Sequence, residues 1–247
     1  MGMEEYSERF YKEHQKTSLD SADVIVPIVI SLIKPKSVLD VGCGTGAWLS
    51  TFQKKGINDI LGIDGKWVNK SRLIIPKEKF VQMDLKKPSK LNRKFELALS
   101  LEVAEHLPES CADRFIDFLA SASQVILFSA AIPFQGGTNH SNEKWQDYWA
   151  EKFEKRGYQA IDCIRSKVWS NKRVSFFYAQ NMILFVKKDA IDKHPALKKE
   201  LHCKTPFSIV HPERYLLIAK ERNVISNLVP APLKKLRLLA LRLFKKL

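Results

Sequence analysis

The feature that most constrains this chain is Val38-Leu39-Asp40-Val41-Gly42-Cys43-Gly44-Thr45-Gly46, an apolar run carrying one acid that breaks into three alternate glycines. The apolar residues read as a buried strand and Ala47-Trp48-Leu49 as the start of a helix. A strand feeding a glycine turn and then a helix is a nucleotide-type cradle, because a Cβ would keep the backbone from closing on a ligand. The spacing departs from a dinucleotide fingerprint, which sets its third glycine three after the second and has no need of the acid. Nothing in it demands a pyrophosphate.

The same alternation continues along the chain. Residues 6–16 and Ser21 to Lys34 read as two N-terminal helices, the second with Val24, Ile25, Ile28, Val29, Leu32 and Ile33 on one face despite Pro27, and ended by Pro35. Strands are expected over 37–41, 59–64, 79–84, 95–101 and 125–130, with helices from Ala47 to Lys55 and from Glu109 to Ala122. Pro133 to Asn142 reads as a loop, Asn142 to Arg156 as an amphipathic helix stopped by Gly157, and 158–164 and 174–186 as strands. Such a chain predicts an α/β fold with a mostly parallel sheet covered on both faces. The expected organisation is an N-terminal helical cap over 1–35, one catalytic domain over 36–188 and a basic extension over 189–247.

Composition narrows the setting. The chain has 247 residues and 45% apolar content, enough for one large domain with extensions. The cysteines at 43, 111, 163 and 203 lack metal-ligand spacing, so reduced thiols and a cytoplasmic location are expected. The first residues lack an apolar core, so no secretory signal is expected, and no run approaches the roughly 18 apolar residues of a membrane span. The net charge of +14 is uneven: residues 187–247 hold 15 Lys and Arg against 5 Asp and Glu, whereas residues 1–186 hold 26 against 22. A near-neutral body with a basic tail points to an anionic surface met by the tail.

Two further acids give the cradle a chemistry. Asp64 closes the second strand, where a carboxylate can accept both hydroxyls of a ribose. Asp84 closes the third, where it can accept from an adenine amino group. An acid at each of three successive strand ends suits a nucleoside that carries positive charge.

These motifs, with Gly62-Ile63-Asp64-Gly65, Met83-Asp84-Leu85 and Ser100-Leu101-Glu102-Val103-Ala104-Glu105-His106-Leu107, resemble the class I methyltransferases that use S-adenosyl-L-methionine (SAM). The resemblance covers roughly residues 36–187 and implies a Rossmann-like seven-stranded sheet whose last strand is antiparallel. It implies SAM as cofactor, with Asp40 and the glycines on the methionine end, Asp64 on the ribose, and Asp84 with Leu85 on the adenine. The implied contact set is Asp40, Gly42, Cys43, Gly44, Gly46, Asp64, Gly65, Asp84, Leu85, Leu101 and Glu102. Glu96 stands where the family usually has Asp.

Methyl transfer to a hydroxyl requires alignment and removal of one proton, and His106 and His140 are the candidate bases. Glu102, Glu105 and His106 form E-x-x-E-H, which on a helix would share one face. It looks like the metal triad of some ubiquinone-type and small-RNA 2′-hydroxyl methyltransferases, with His140 as a further ligand. No metal is the preferred expectation, and a divalent metal is the alternative. Residues 133–149 and 169–181 mix aromatics with amides and hydroxyls, which suits a polar acceptor, and this part resembles bacterial methyltransferases of glycan and natural-product pathways.

The tail after Pro232 sets Leu236, Leu239, Ala240, Leu243, Phe244 and Leu247 opposite six basic residues, an amphipathic helix expected to touch the inner membrane face peripherally. Aliphatic rather than stacking neighbours disfavour nucleic acid as its partner. The preferred function is O-methylation of a carbohydrate or hydroxylated metabolite. The rivals are a metal-assisted RNA methyltransferase and a non-enzymatic SAM-binding membrane adaptor.

Overall fold

The computed structural model describes residues 8–201 and 207–228. They form two compact units, one ending at Ile209 and one beginning at Val210. In chain order the first unit contains α1 (Glu8–Ile33), β1 (Ser37–Val41), α2 (Ala47–Lys54), β2 (Asp59–Asp64), β3 (Phe80–Gln82), β4 (Leu97–Leu101), α3 (Ala112–Ala122) and β5 (Val125–Ser129). It continues through α4 (Gln146–Glu154), β6 (Tyr158–Ile161), α5 (Arg165–Val168), α6 (Phe176–Asn181), β7 (Ile183–Lys187) and α7 (Pro195–Glu200). The second unit holds α8 (Pro212–Leu228). The terminal amphipathic helix expected after Pro232 lies outside the described residues.

The seven strands form one sheet in the order β3-β2-β1-β4-β5-β7-β6, parallel except for β7, which runs against both β5 and β6. Strand period divides the core in two, because successive side chains point to opposite faces. Val38, Leu97 and Leu99 face one cluster with Ile25, Val29, Leu49 and Phe52; Leu39, Val41 and Ala98 face the other with Phe115, Leu119, Trp149 and Phe153. β1, β4 and β5 are therefore buried along their whole length.

Two local expectations are corrected. The separate helices over 6–16 and 21–34 are one helix running through Pro27. Pro27 lies on the exposed side, so the carbonyl it leaves unbonded faces water, and burial of Ile25, Val26, Val29 and Leu32 at about 1.5–3 kcal/mol each outweighs the proline penalty of about 3 kcal/mol. Lys34, at φ 51, closes the helix through its N–H to the Ile30 carbonyl. Residues 174–186 are half helix rather than all strand, with α6 preceding β7. The aromatic run has strand composition, but tertiary packing overrides it: the turn sets buried Tyr178 edge-on to Trp48 at 5.1 Å and within 3.3 Å of Ser18 Oγ.

The connections from β2 to β3 and from β3 to β4 contain no α-helix, only short 3-10 turns at Lys70–Arg72 and Lys77–Lys79 before β3. No described helix is long and apolar enough to cross a membrane.

Candidate functional site

A cleft of about 460 Å³ opens at the carboxyl ends of β1, β2 and β4. Parallel strands point their last residues into one crevice, so the acid ending β2 and the residue after β4 meet the glycine turn there. Of the cofactor residues expected from sequence, Asp40, Gly42, Cys43, Gly44, Asp64, Leu101 and Glu102 line it.

The backbone builds one half of the cleft. Gly42 has φ 88, and a Cβ there would lie 2.3 Å from Val103 Cγ2, so only glycine fits. Gly44 faces open space and donates its N–H to Asp64 Oδ2 at 2.7 Å, while Gly65 donates to Oδ1 at 2.6 Å. Burial pushes the Asp64 pKa up, and the bonds from Gly44, Gly65 and Trp67 restrain it. Asp40 is buried and its Oδ2 has no hydrogen-bond partner. Its burial, with the Asp64 charge beside it, lifts its pKa to about 8. Burial, with the same two carboxylates beside it, pushes the Cys43 thiol up as well. An orphaned buried oxygen beside a second carboxylate calls for a cationic donor, which fits the ammonium and hydroxyl-bearing ends of SAM.

Gly46, at φ 88, begins α2 and makes room for Ile75; like Gly65 it shapes the cradle without lining the cleft. Asp84 and Leu85 are not brought to the cleft. Asp84 is exposed and its Oδ1 accepts from Lys86 N–H at 2.9 Å, a local turn that competes with reaching for a ligand, and Leu85 is buried in the core. Trp67, Val68, Asn69 and Arg72 line that side instead. An aromatic residue three positions after the strand-end acid was the sequence signal for them. Gln15, Ser18, Phe177 and Tyr178 complete the wall from α1 and α6, which sequence reading missed because they lie far away along the chain.

Side chains build the other half. Glu102, Glu105 and His106 do not share a helix face: Glu102 has φ 57 and only a 3-10 turn, Ala104–His106, follows it. This left-handed geometry in a non-glycine residue costs about 1 kcal/mol or more. Its N–H is held by the Ser129 carbonyl at 2.9 Å, and its carboxylate accepts from Gln135 Nε2 at 2.7 Å and Asn181 Nδ2 at 3.1 Å. Burial raises the Glu102 pKa, while these amides and Ser129 pull it back. Glu105 is wholly buried and neither carboxylate oxygen makes a hydrogen bond of good geometry; burial first, and then the Glu102 charge, raises its pKa well above the usual range against the weaker pull of the Glu105 and Ala131 backbone.

The two histidines meet here. His106, from the 3-10 turn, and His140, from the loop after β5, line the cleft with ring centroids 4.8 Å apart. His140 Nδ1 lies 2.9 Å from Glu143 Oε1, and Glu143 also accepts from Phe134 N–H at 2.7 Å and Gly136 N–H at 3.2 Å. Gly137 is required beside this ring, since a Cβ there would lie 2.2 Å from His140 Nε2. A carboxylate on Nδ1 selects the imidazole tautomer that leaves Nε2 as the acceptor. Glu105, His106 and His140 also place one ligand atom each within 4.8 Å of one another, a donor set that suits a divalent metal of the first transition row.

A family model described as a methyltransferase domain matches residues 11–166, well over half of the chain. No curated protein matches the sequence. Among solved structures, the sugar N-methyltransferase KedS8 from Streptoalloteichus is similar at TM-score 0.57 and 13% identity, over 76% of this chain and 94% of that one. Streptomyces venezuelae DesVI matches at 0.55 and 16% over 72% and 95%, and the methyltransferase domain of bacterial CtHen1-C at 0.51 and 23% over 68% and 98%. At these identities the structural likenesses establish the fold, and the family match with the cradle of Asp40, Gly42 to Gly46 and Asp64 establishes the class. The chain belongs to the methyltransferase domain family and is a class I SAM-dependent methyltransferase.

Proposed function

We propose that this methyltransferase transfers its methyl group to a hydroxyl of a carbohydrate or similar hydroxylated small molecule. The observation that carries the reading is the His106–His140 pair beside the cofactor half of the cleft, with Glu143 fixing one ring. When bound, SAM supplies an electrophilic sulfonium methyl. The chain's own residues then have three tasks. Asp40 neutralises a cationic donor, and Asp64 accepts hydroxyl protons at the other end of the cradle. His140 Nε2 would take the proton of an acceptor hydroxyl held beside it. Polar groups on the loop, Gln135 and Thr138 among them, line the same cleft and suit a hydroxyl-rich acceptor. A sugar N-methyltransferase among the structural neighbours supports a sugar acceptor in kind, though not the attacked atom.

The test is transfer of labelled methyl from SAM to panels of sugars, glycans and hydroxylated natural products, with transfer expected into at least one carbohydrate pool. Label confined to amine or thiol acceptors, or activity untouched by His140→Gln, rejects the reading.

One observation favours a second reading, metal-assisted transfer to an RNA hydroxyl: Glu105 has two unbonded oxygens beside His106 and His140. There Glu105, His106 and His140 would hold the cation, which would lower the basicity of the acceptor oxygen. Full loss of activity on chelation, restored by manganese or magnesium, together with label in RNA would select it.

A further inference from the structure

The near-neutral charge of residues 1–186 is an average over two unlike regions. Residues 66–94 hold ten Lys and Arg against two Asp and Glu, while the rest of residues 1–186 hold sixteen against twenty. The fold gathers this segment at one place, because it supplies both helix-free connections around β3, the edge strand of the sheet. Lys66 and Lys70 follow the carboxyl end of β2, Lys86 and Lys87 follow that of β3, and Lys77 and Lys90 lie toward the amino ends of the strands. All six are exposed, and none meets a carboxylate among the described residues. Arg93 is different, bound to Asp59 at 2.6 Å.

Apolar side chains stand among these cations. Trp67 is 63% exposed and Ile74 40%, with Val81 exposed on β3 itself. Trp67 bonds Asp64 and lines the cleft, yet most of its surface stays uncovered, and with Ile74 it stands among lysines that meet no carboxylate. A surface that offers anions at its face and a layer between water and hydrocarbon just behind it takes both kinds of group. Single-stranded nucleic acid calls for successive aromatic platforms, and Trp67 is the one aromatic side chain exposed here.

We propose that the β3 edge is a docking surface for an anionic phospholipid bilayer, with the lysines on the headgroups and Trp67 and Ile74 at the interface. Docked this way, the enzyme presents the rim of its cleft formed by Trp67, Val68, Asn69 and Arg72 close to the membrane.

The test is sedimentation of the full chain with vesicles of phosphatidylcholine alone or with 30 mole percent phosphatidylglycerol. The variant is Lys66→Glu, Lys70→Glu, Lys86→Glu and Lys87→Glu together, none of which belongs to the catalytic or cofactor machinery. The wild type should bind only the phosphatidylglycerol vesicles, and the variant should bind them about 100-fold more weakly or worse. Its circular dichroism and SAM affinity should match wild type, separating lost docking from lost folding. A folded variant that sediments like wild type overturns the proposal, including the case in which deletion of residues 232–247 alone removes binding. A variant that loses affinity for an RNA oligonucleotide but keeps its affinity for vesicles overturns it too, in favour of a nucleic-acid surface.

Discussion

The two halves of the cleft are made by different means. The centre of the cofactor half is backbone, a strand end, a glycine turn and two N–H groups that hold Asp64, all within residues 40–65, although side chains from elsewhere complete its wall. The acceptor half is side chain on side chain, with Glu102 held by Asn181 across 79 residues and by Gln135 across 33. A local device is rigid because neighbouring residues define it, whereas a distributed one depends on every element that supplies a partner. The cofactor half should therefore tolerate losses elsewhere in the cleft, while the acceptor half should fail through residues that touch no reacting atom.

The largest expected effect is on the acceptor side. His140→Gln should lower kcat by about 100-fold to 1,000-fold in steady-state methyl transfer. Its SAM affinity should stay within about threefold of wild type, and an equal loss in both would erase the distinction between the halves. On the cofactor side, Asp64→Ala removes the acceptor for Gly44 and Gly65 and the carboxylate itself. Calorimetric titration should show SAM binding weakened about 100-fold.

The amide network gives a smaller effect and a sharper one. Asn181→Ala leaves Glu102 with Gln135 as its side-chain amide donor, and should cost about 1–3 kcal/mol in denaturant unfolding. It should also lower kcat about 10-fold with SAM affinity preserved; a change in affinity alone would place Asn181 with the cofactor half.

Asp40 provides the most pH-dependent effect, and the one with no cost at low pH. Its folded pKa of about 8 lies above its ordinary value of 3.8, so the native state keeps a proton that the unfolded chain has released. The cofactor-free protein therefore loses stability as pH rises from about 4 to about 8. Asp40→Asn cannot ionise, so its thermal midpoint should exceed wild type by about 10 °C or more at pH 8 and match it at pH 4. The same variant should bind SAM more weakly, because a cationic donor loses its partner. A midpoint difference independent of pH would show that the Asp40 carboxylate is already compensated without the cofactor.

Legibility in the sequence follows the same division. Gly42, Gly44, Gly46 and Asp64 were readable because turn geometry and strand ends are set by adjacent residues. Asp84 was read by analogy with Asp64, yet an amide two residues on captures its carboxylate, and Trp67, Val68, Asn69 and Arg72 take that side of the cleft. Glu105, His106 and His140 were readable as a possible donor set through the family resemblance, but Glu102 was wrongly grouped with them on one helix face, because the left-handed turn at Glu102 is not visible in E-x-x-E-H. The basic β3 edge was hidden for a related reason: its lysines are cancelled in the body's net charge by acids placed elsewhere.

By itself, then, the sequence determined the sheet, the cradle and the methyl donor, since periodicity, glycine spacing and strand-end acids act over a few residues. Only the tertiary structure decided which carboxylate is amide-bound and which is orphaned, how His140 meets His106, and where the lysines gather. Those properties belong to groups far apart in the chain, and their charge and desolvation energies exist only once packing has brought them together.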